Sequence, residues 1–80
     1  MEEMQLNPVL VGETIAEFRQ KRSLSQEVVS GLAGIGRTHL SAIERGERKP
    51  TLETFFRIAS ALDTPASVIM ARIEEKLQMI

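Results

Sequence analysis

The stretch SQEVVSGLAGIGRTHLSAIERG, residues 25–46, reads as two short helices hinged at a glycine. Ser25 can offer its side-chain oxygen to the free N–H groups at a helix start, and Val28, Val29 and Leu32 are predicted on that helix's inner face. Gly34 can take the left-handed conformation that a sharp turn needs. A second helix is predicted from about Arg37 to Arg45, with Leu40 and Ile43 facing in and Gly46 as its stop. Two helices joined by so short a glycine turn meet steeply, and the second one protrudes. The Leu40–Ile43 stripe then turns Arg37, Thr38, Ser41 and Ala42 towards solvent, with His39 at the margin.

Working outward, Val11, Ile15 and Phe18 recur at helical steps and predict a helix from about Gly12 to Lys21, broken at Ser23–Ser25. Beyond Gly46, Pro50 pushes Lys49 out of helical conformation. Thr51 then caps a helix carrying Leu52, Phe55, Phe56, Ile58, Ala59 and Leu62. Thr64-Pro65 reads as an N-cap followed by proline at the first helical position, starting a helix towards the C-terminus. The expectation is an all-α, five-helix bundle: a single domain over residues 1–80, with the hinged pair at about 25–45 and the last helix at 64–80.

Composition narrows what such a bundle can do. A chain of 80 residues buries only about 60% of the surface its unfolded form exposes, so the core is thin. There is no cysteine and one histidine, which excludes a disulfide framework, thiol chemistry and a Cys- or His-based metal site. No HExxH, glycine-rich phosphate loop or nucleophile elbow is present, so neither an enzyme nor a cofactor is expected. No apolar run approaches the ~20 residues that cross a bilayer, and the acidic start MEEMQLNP is unlike a signal peptide. A cytoplasmic protein with no membrane partner is expected. The net charge of −1 is unevenly spread: residues 17–50 hold seven bases against four acids, while residues 1–16 hold three acids and no base. A basic middle between acidic ends is the pattern of a one-faced polyanion binder.

Residues 25–63 resemble the helix-turn-helix domain of the Cro/repressor-like (XRE-type) DNA-binding family, known from the lambda-repressor-like fold. The carrying residues are Ser25-Gln26-Glu27, Gly34-Ile35, Arg37-Thr38, Ile43-Glu44-Arg45-Gly46, Pro50-Thr51-Leu52-Glu53-Thr54 and Ile58-Ala59-Ser60-Ala61-Leu62. Within the family the likeness extends to the short controller proteins of restriction–modification systems. Three positions depart from the pattern: Gly36 for the usual Ser or Thr cap, Ser30 for the usual alanine, and Val28 where glutamate would complete a capping box.

The resemblance implies double-stranded DNA as partner, with the protruding helix in the major groove. Arg37, Thr38, His39, Ser41 and Ala42 are the candidate base-reading residues; for His39, reading a base and simple exposure both stay open. Gln26, Arg45, Arg48 and Lys49 are the candidate phosphate contacts, with Lys21 and Arg22 as further ones. Glu44 braces the loop rather than meeting DNA. The last helix carries Ile69, Ile73, Leu77 and Ile80 at steps of 4, 4 and 3, with Met70 alongside. Part of that stripe packs on the domain's own helices, and the remainder is the candidate interface of a homodimer. The function expected is a sequence-specific transcriptional regulator on palindromic operators, without a small-molecule effector. The alternative is an antitoxin or protein-interaction module on the same fold.

Overall fold

The computed structural model describes residues 6–79, and every described element is helical. In chain order these are α1 (Pro8–Lys21), α2 (Gln26–Ala33), α3 (Arg37–Glu44), α4 (Leu52–Ala61) and α5 (Ala66–Gln78). Ile80 and the acid-bearing start of the chain lie outside the described residues.

Helix α1 begins four residues before Gly12. Asn7 accepts the Val9 N–H at 2.9 Å and Pro8 fixes the first helical φ, a start signal the apolar stripe does not contain. Ser25 and Thr51 cap α2 and α4 as expected, accepting the N–H groups of Val28 and Thr54. At α5 the helix begins one residue late. Pro65 is the capping position, and the Thr64 hydroxyl donates back to the Leu62 carbonyl at 2.9 Å instead.

Four of the five helices end in the same way, with a residue at positive φ just past the last turn: Ser23 (56°), Gly34 (71°), Gly46 (78°) and Asp63 (50°). Each closure pairs two otherwise orphaned carbonyls with N–H groups of the following residues. After α3, Gly46 N–H donates to Ile43 O and Glu47 N–H to Ala42 O.

The core is one cluster built around Ile15, Val29, Leu40, Ile43, Ile58, Leu62, Ile69 and Ile73, all fully buried. Helix α1 packs against α3 and α5, and α2 against α4 and α3. The α1–α3 contact is close enough that only glycine serves at its centre: a Cβ on Gly12 would lie 2.0 Å from the Ile43 carbonyl oxygen. Two buried hydroxyls are satisfied locally, Thr14 by the Leu10 carbonyl and Ser30 by that of Glu27.

Several expectations are corrected. Val28 and Leu32 face solvent at 46% and 67% exposure, and α2 buries Val29, Ser30 and Ala33 instead. Ile69 and Ile73 are wholly buried within their own chain, because α5 seats that part of its stripe on α1 and α4. They are core residues and cannot form an interface without unfolding. Leu77 is half-buried against the same cluster. Phe56 and Leu52, carried on α4, are exposed.

Candidate nucleic-acid interface

Helix α3 is held from behind. Its Leu40 and Ile43 side chains are fully buried, while Arg37 and Thr38 are exposed and His39 and Ser41 half-buried. At about 100° per residue, Arg37, Ser41 and Arg45 form a row at i, i+4 and i+8, with Thr38 beside it. Ala42 is not part of this face. It is only 8% exposed, because α1 and α2 together cover α3 over a wider arc than the Leu40–Ile43 stripe defines. A methyl in that position cannot reach a base. Gly36 starts the helix without a side-chain cap, leaving the N–H groups of the first turn unclaimed by any described side chain.

One carboxylate ties the end of α3 to both α1 and α2. Glu44, at the end of α3, accepts Arg19 Nε at 2.8 Å and Nη2 at 2.9 Å, and its Oε1 also accepts the Gln26 amide at 2.9 Å. Arg19 Nη1 donates to the Leu24 carbonyl at 2.8 Å, so the α1–α2 loop joins the same network. The side chains of Arg19 and Glu44 are 13% and 6% exposed, and the hydrogen bonds to Glu44 raise the Arg19 pKa above its ordinary value. Fork-on-carboxylate geometry of this kind is directional, so the network sets an orientation as well as a contact. It also anchors Gln26 at the first turn of α2, beside the start of the loop. Glu44 thus braces the motif, and Arg19 is its partner. The sequence alone did not single out Arg19, since the two residues stand 25 apart with no local spacing to connect them.

The remaining cations divide into two groups. Arg45 Nε and Nη2 fork onto the Glu47 carboxylate at 2.9 and 3.0 Å, and its Nη1 donates to the Ser41 hydroxyl. Each partner's hydrogen bond is the chief reason that Arg45 is held above, and Glu47 below, its ordinary pKa. Arg48 and Lys49 are exposed just beyond, and among the described residues no ion pair engages them or Arg37. Lys21 and Arg22 are occupied by the fold itself. Lys21 lies 5.6 Å over the Phe18 ring, and Arg22 donates to the Asp63 carbonyl and the Thr64 hydroxyl at the α4–α5 turn. Among the described residues no cluster of potential metal ligands occurs, and no helix is long and apolar enough to cross a membrane.

Two helices at a glycine turn, braced from inside and displaying the second helix, define a helix-turn-helix protein. The chain belongs to the helix-turn-helix family, whose model matches residues 15–69. It is 42% identical over 53 residues to an uncharacterised HTH-type transcriptional regulator, y4dJ, of Sinorhizobium fredii, covering 66% of this chain and 69% of the relative. It is 33% identical over 63 residues to the control protein C.SmaI of Serratia marcescens, covering 79% of this chain and 75% of that protein. Among solved structures it resembles the restriction–modification controller protein C.AhdI of Aeromonas hydrophila. That match has a TM-score of 0.77 and 31% identity, and spans 81% of this chain and 98% of the other.

Proposed function

We propose that this protein is a DNA-binding transcriptional regulator that reads a palindromic operator as a homodimer, in the manner of a restriction–modification controller. The observation that carries the reading is the outward Arg37–Ser41–Arg45 row, exposed at both arginines, on a helix whose opposite side is fully buried. A helix so displayed enters the major groove of B-DNA with its N-terminal residues towards base edges. Arg37 is the base reader: its fork matches guanine O6 and N7, a contact worth about 1–3 kcal/mol of discrimination. Thr38 and Ser41 flank it, and His39 reaches the groove margin. Arg48 and Lys49, just beyond the C-terminal end of the row, neutralise phosphates, and Gln26 faces the backbone at the first turn of α2.

A single α3 makes few base contacts, so a twofold pair spanning about one DNA turn, ~34 Å, is what gives useful affinity. The pairing surface is the apolar groove between α4 and α5, where Leu52 is 71% and Phe56 56% exposed beside Pro65 and Met70. An isologous contact between two copies of this groove covers both exposed side chains. The controller reading is supported by the likeness to C.SmaI and C.AhdI, both described as control proteins.

Selection of bound duplexes from a random pool tests the reading, followed by affinity measurements on the selected site. Arg37→Ala is expected to abolish preference among site variants while leaving nonspecific binding mostly intact. Lys49→Ala is expected to weaken all sequences alike and to reduce the salt slope by about one unit. A wild-type protein that binds no duplex, or all duplexes equally, refutes the proposal. Adjacent methyltransferase and endonuclease genes are the observation expected of a controller.

A further inference from the structure

We propose that Glu47 is a positioning residue for DNA binding: its carboxylate occupies, in the free protein, the arginine fork that a DNA phosphate takes in the complex. The inference rests on the DNA-binding reading above and concerns a residue that the sequence pattern did not single out.

The geometry is specific. The α3 closure ties the Glu47 N–H to the Ala42 carbonyl at 2.9 Å, which fixes where the Glu47 side chain starts. From there both carboxylate oxygens reach the Nε/Nη2 edge of Arg45, at 2.9 and 3.0 Å. The third nitrogen, Nη1, is held by Ser41 Oγ in the middle of the outward row. Arg45 therefore lies along the exposed face of α3 with its outer edge already paired. Phosphate and carboxylate both offer two coplanar oxygens to a guanidinium, so they compete for the same edge. Because Ser41 grips the other side, exchange of one anion for another leaves the arginine in place. The ion pair is exposed, with the two side chains at 53% and 60%, so the exchange is cheap and reversible.

Glu47 acts in two ways that add. It must be released before Arg45 takes a phosphate, and once released it leaves a negative charge beside the duplex. Both weaken every sequence alike, because a phosphate contact carries no base information. The carboxylate thus lowers nonspecific affinity without touching discrimination, which resides in Arg37.

A double-mutant cycle tests this with Glu47→Gln, Arg45→Gln and the double variant, each titrated with the selected duplex and with a scrambled one over a range of salt. Glu47→Gln is expected to tighten both duplexes about three- to fivefold at ~100 mM salt and to steepen the salt slope by up to about one unit. In the Arg45→Gln background the same change is expected to alter affinity less than about 1.5-fold. The turn is held by backbone hydrogen bonds, so melting temperatures are expected within about 3 °C of each other. If Glu47→Gln tightens binding equally with and without Arg45, the effect is the general field of the lost charge and the inference is overturned. If Glu47→Gln leaves affinity and slope unchanged while wild type binds DNA, the inference also fails and the function reading survives. If wild type binds no duplex, the function reading fails, and this inference with it.

Discussion

Replacing Gly12 with alanine separates two effects that act in opposite directions at the same kind of position. Helix α1 carries Gly12 in its interior, where alanine is intrinsically better by about 1 kcal/mol. Tertiary packing opposes the change. A Cβ there would meet Ile43 O at 2.0 Å, Glu44 O at 2.7 Å and Glu44 C at 2.9 Å, all backbone atoms that no rotamer can withdraw. To restore a contact of even 3.0 Å, α1 and the end of α3 must separate by about 1 Å, which strains the Arg19–Glu44 fork across the same junction. Overpacking typically costs about 1–3 kcal/mol, and occasionally more where the neighbours cannot yield, so a cost of about 4 kcal/mol is expected against this rigid backbone. The net loss is about 3 kcal/mol, a drop of roughly 12–24 °C in Tm at ~4–8 °C per kcal/mol. Gly31 is the control. It sits inside α2 with nothing within 4 Å of a Cβ, so alanine there is expected to add about 0.5–1 kcal/mol. Thermal and urea unfolding by circular dichroism, at one fixed protein concentration, measures both. A Gly12→Ala protein as stable as wild type would refute the close approach of α1 and α3.

Three further outcomes are expected. Glu44→Ala leaves the half-buried Arg19 guanidinium and the Gln26 amide without their shared acceptor and should cost about 1–3 kcal/mol by urea unfolding; a loss under about 0.5 kcal/mol would show the network to be incidental. Phe56→Ser with Leu52→Ser should convert a dimer to a monomer in sedimentation at tens of micromolar while leaving helicity intact, since both side chains are exposed in the single chain; an unchanged mass would move the pairing surface elsewhere. Glu47 is held below the ordinary carboxylate range, so its pairing with Arg45 is complete above the unfolded-state pKa and is lost only as pH falls through the lower folded value. The effect of Glu47→Gln on DNA affinity should therefore be flat from about pH 6 to 8, and a slope in that window would identify a different titrating group.

All five helices were legible because each announces itself locally, through Ser25 and Thr51 as caps, Gly34 and Gly46 as stops, and apolar steps of three and four. Faces were read less well than elements. On α2 hydrophobicity alone points Val28, Val29 and Leu32 inward, yet the helix buries only Val29 of the three, with small Ser30 and Ala33, where it meets α4. Hydrophobicity marks what can be buried; closeness of approach selects what is small. Ala42 is buried for a related reason, since a helix covered from two sides buries more than its apolar stripe. On α5, the buried Ile69 and Ile73 show a periodic stripe serving its own chain first, while Leu52 and Phe56 on the neighbouring α4 stay exposed. The Arg19–Glu44 and Arg45–Glu47 pairs depend on where turns bring charges, which spacing along the chain does not encode.

The Glu44 network has an evolutionary corollary. Because the motif is clamped from the bundle side, through Arg19, Gln26 and the Leu24 carbonyl, nothing that supports α3 comes from Arg37 or Thr38. Those two positions can be exchanged with little penalty in folding, so, on the proposed base-reading role of Arg37 and Thr38, duplicated descendants of this chain would acquire new target sites by one or two substitutions. Drift in recognition would be cheap, whereas drift in the angle at which the reading head is presented would demand several coordinated changes at once.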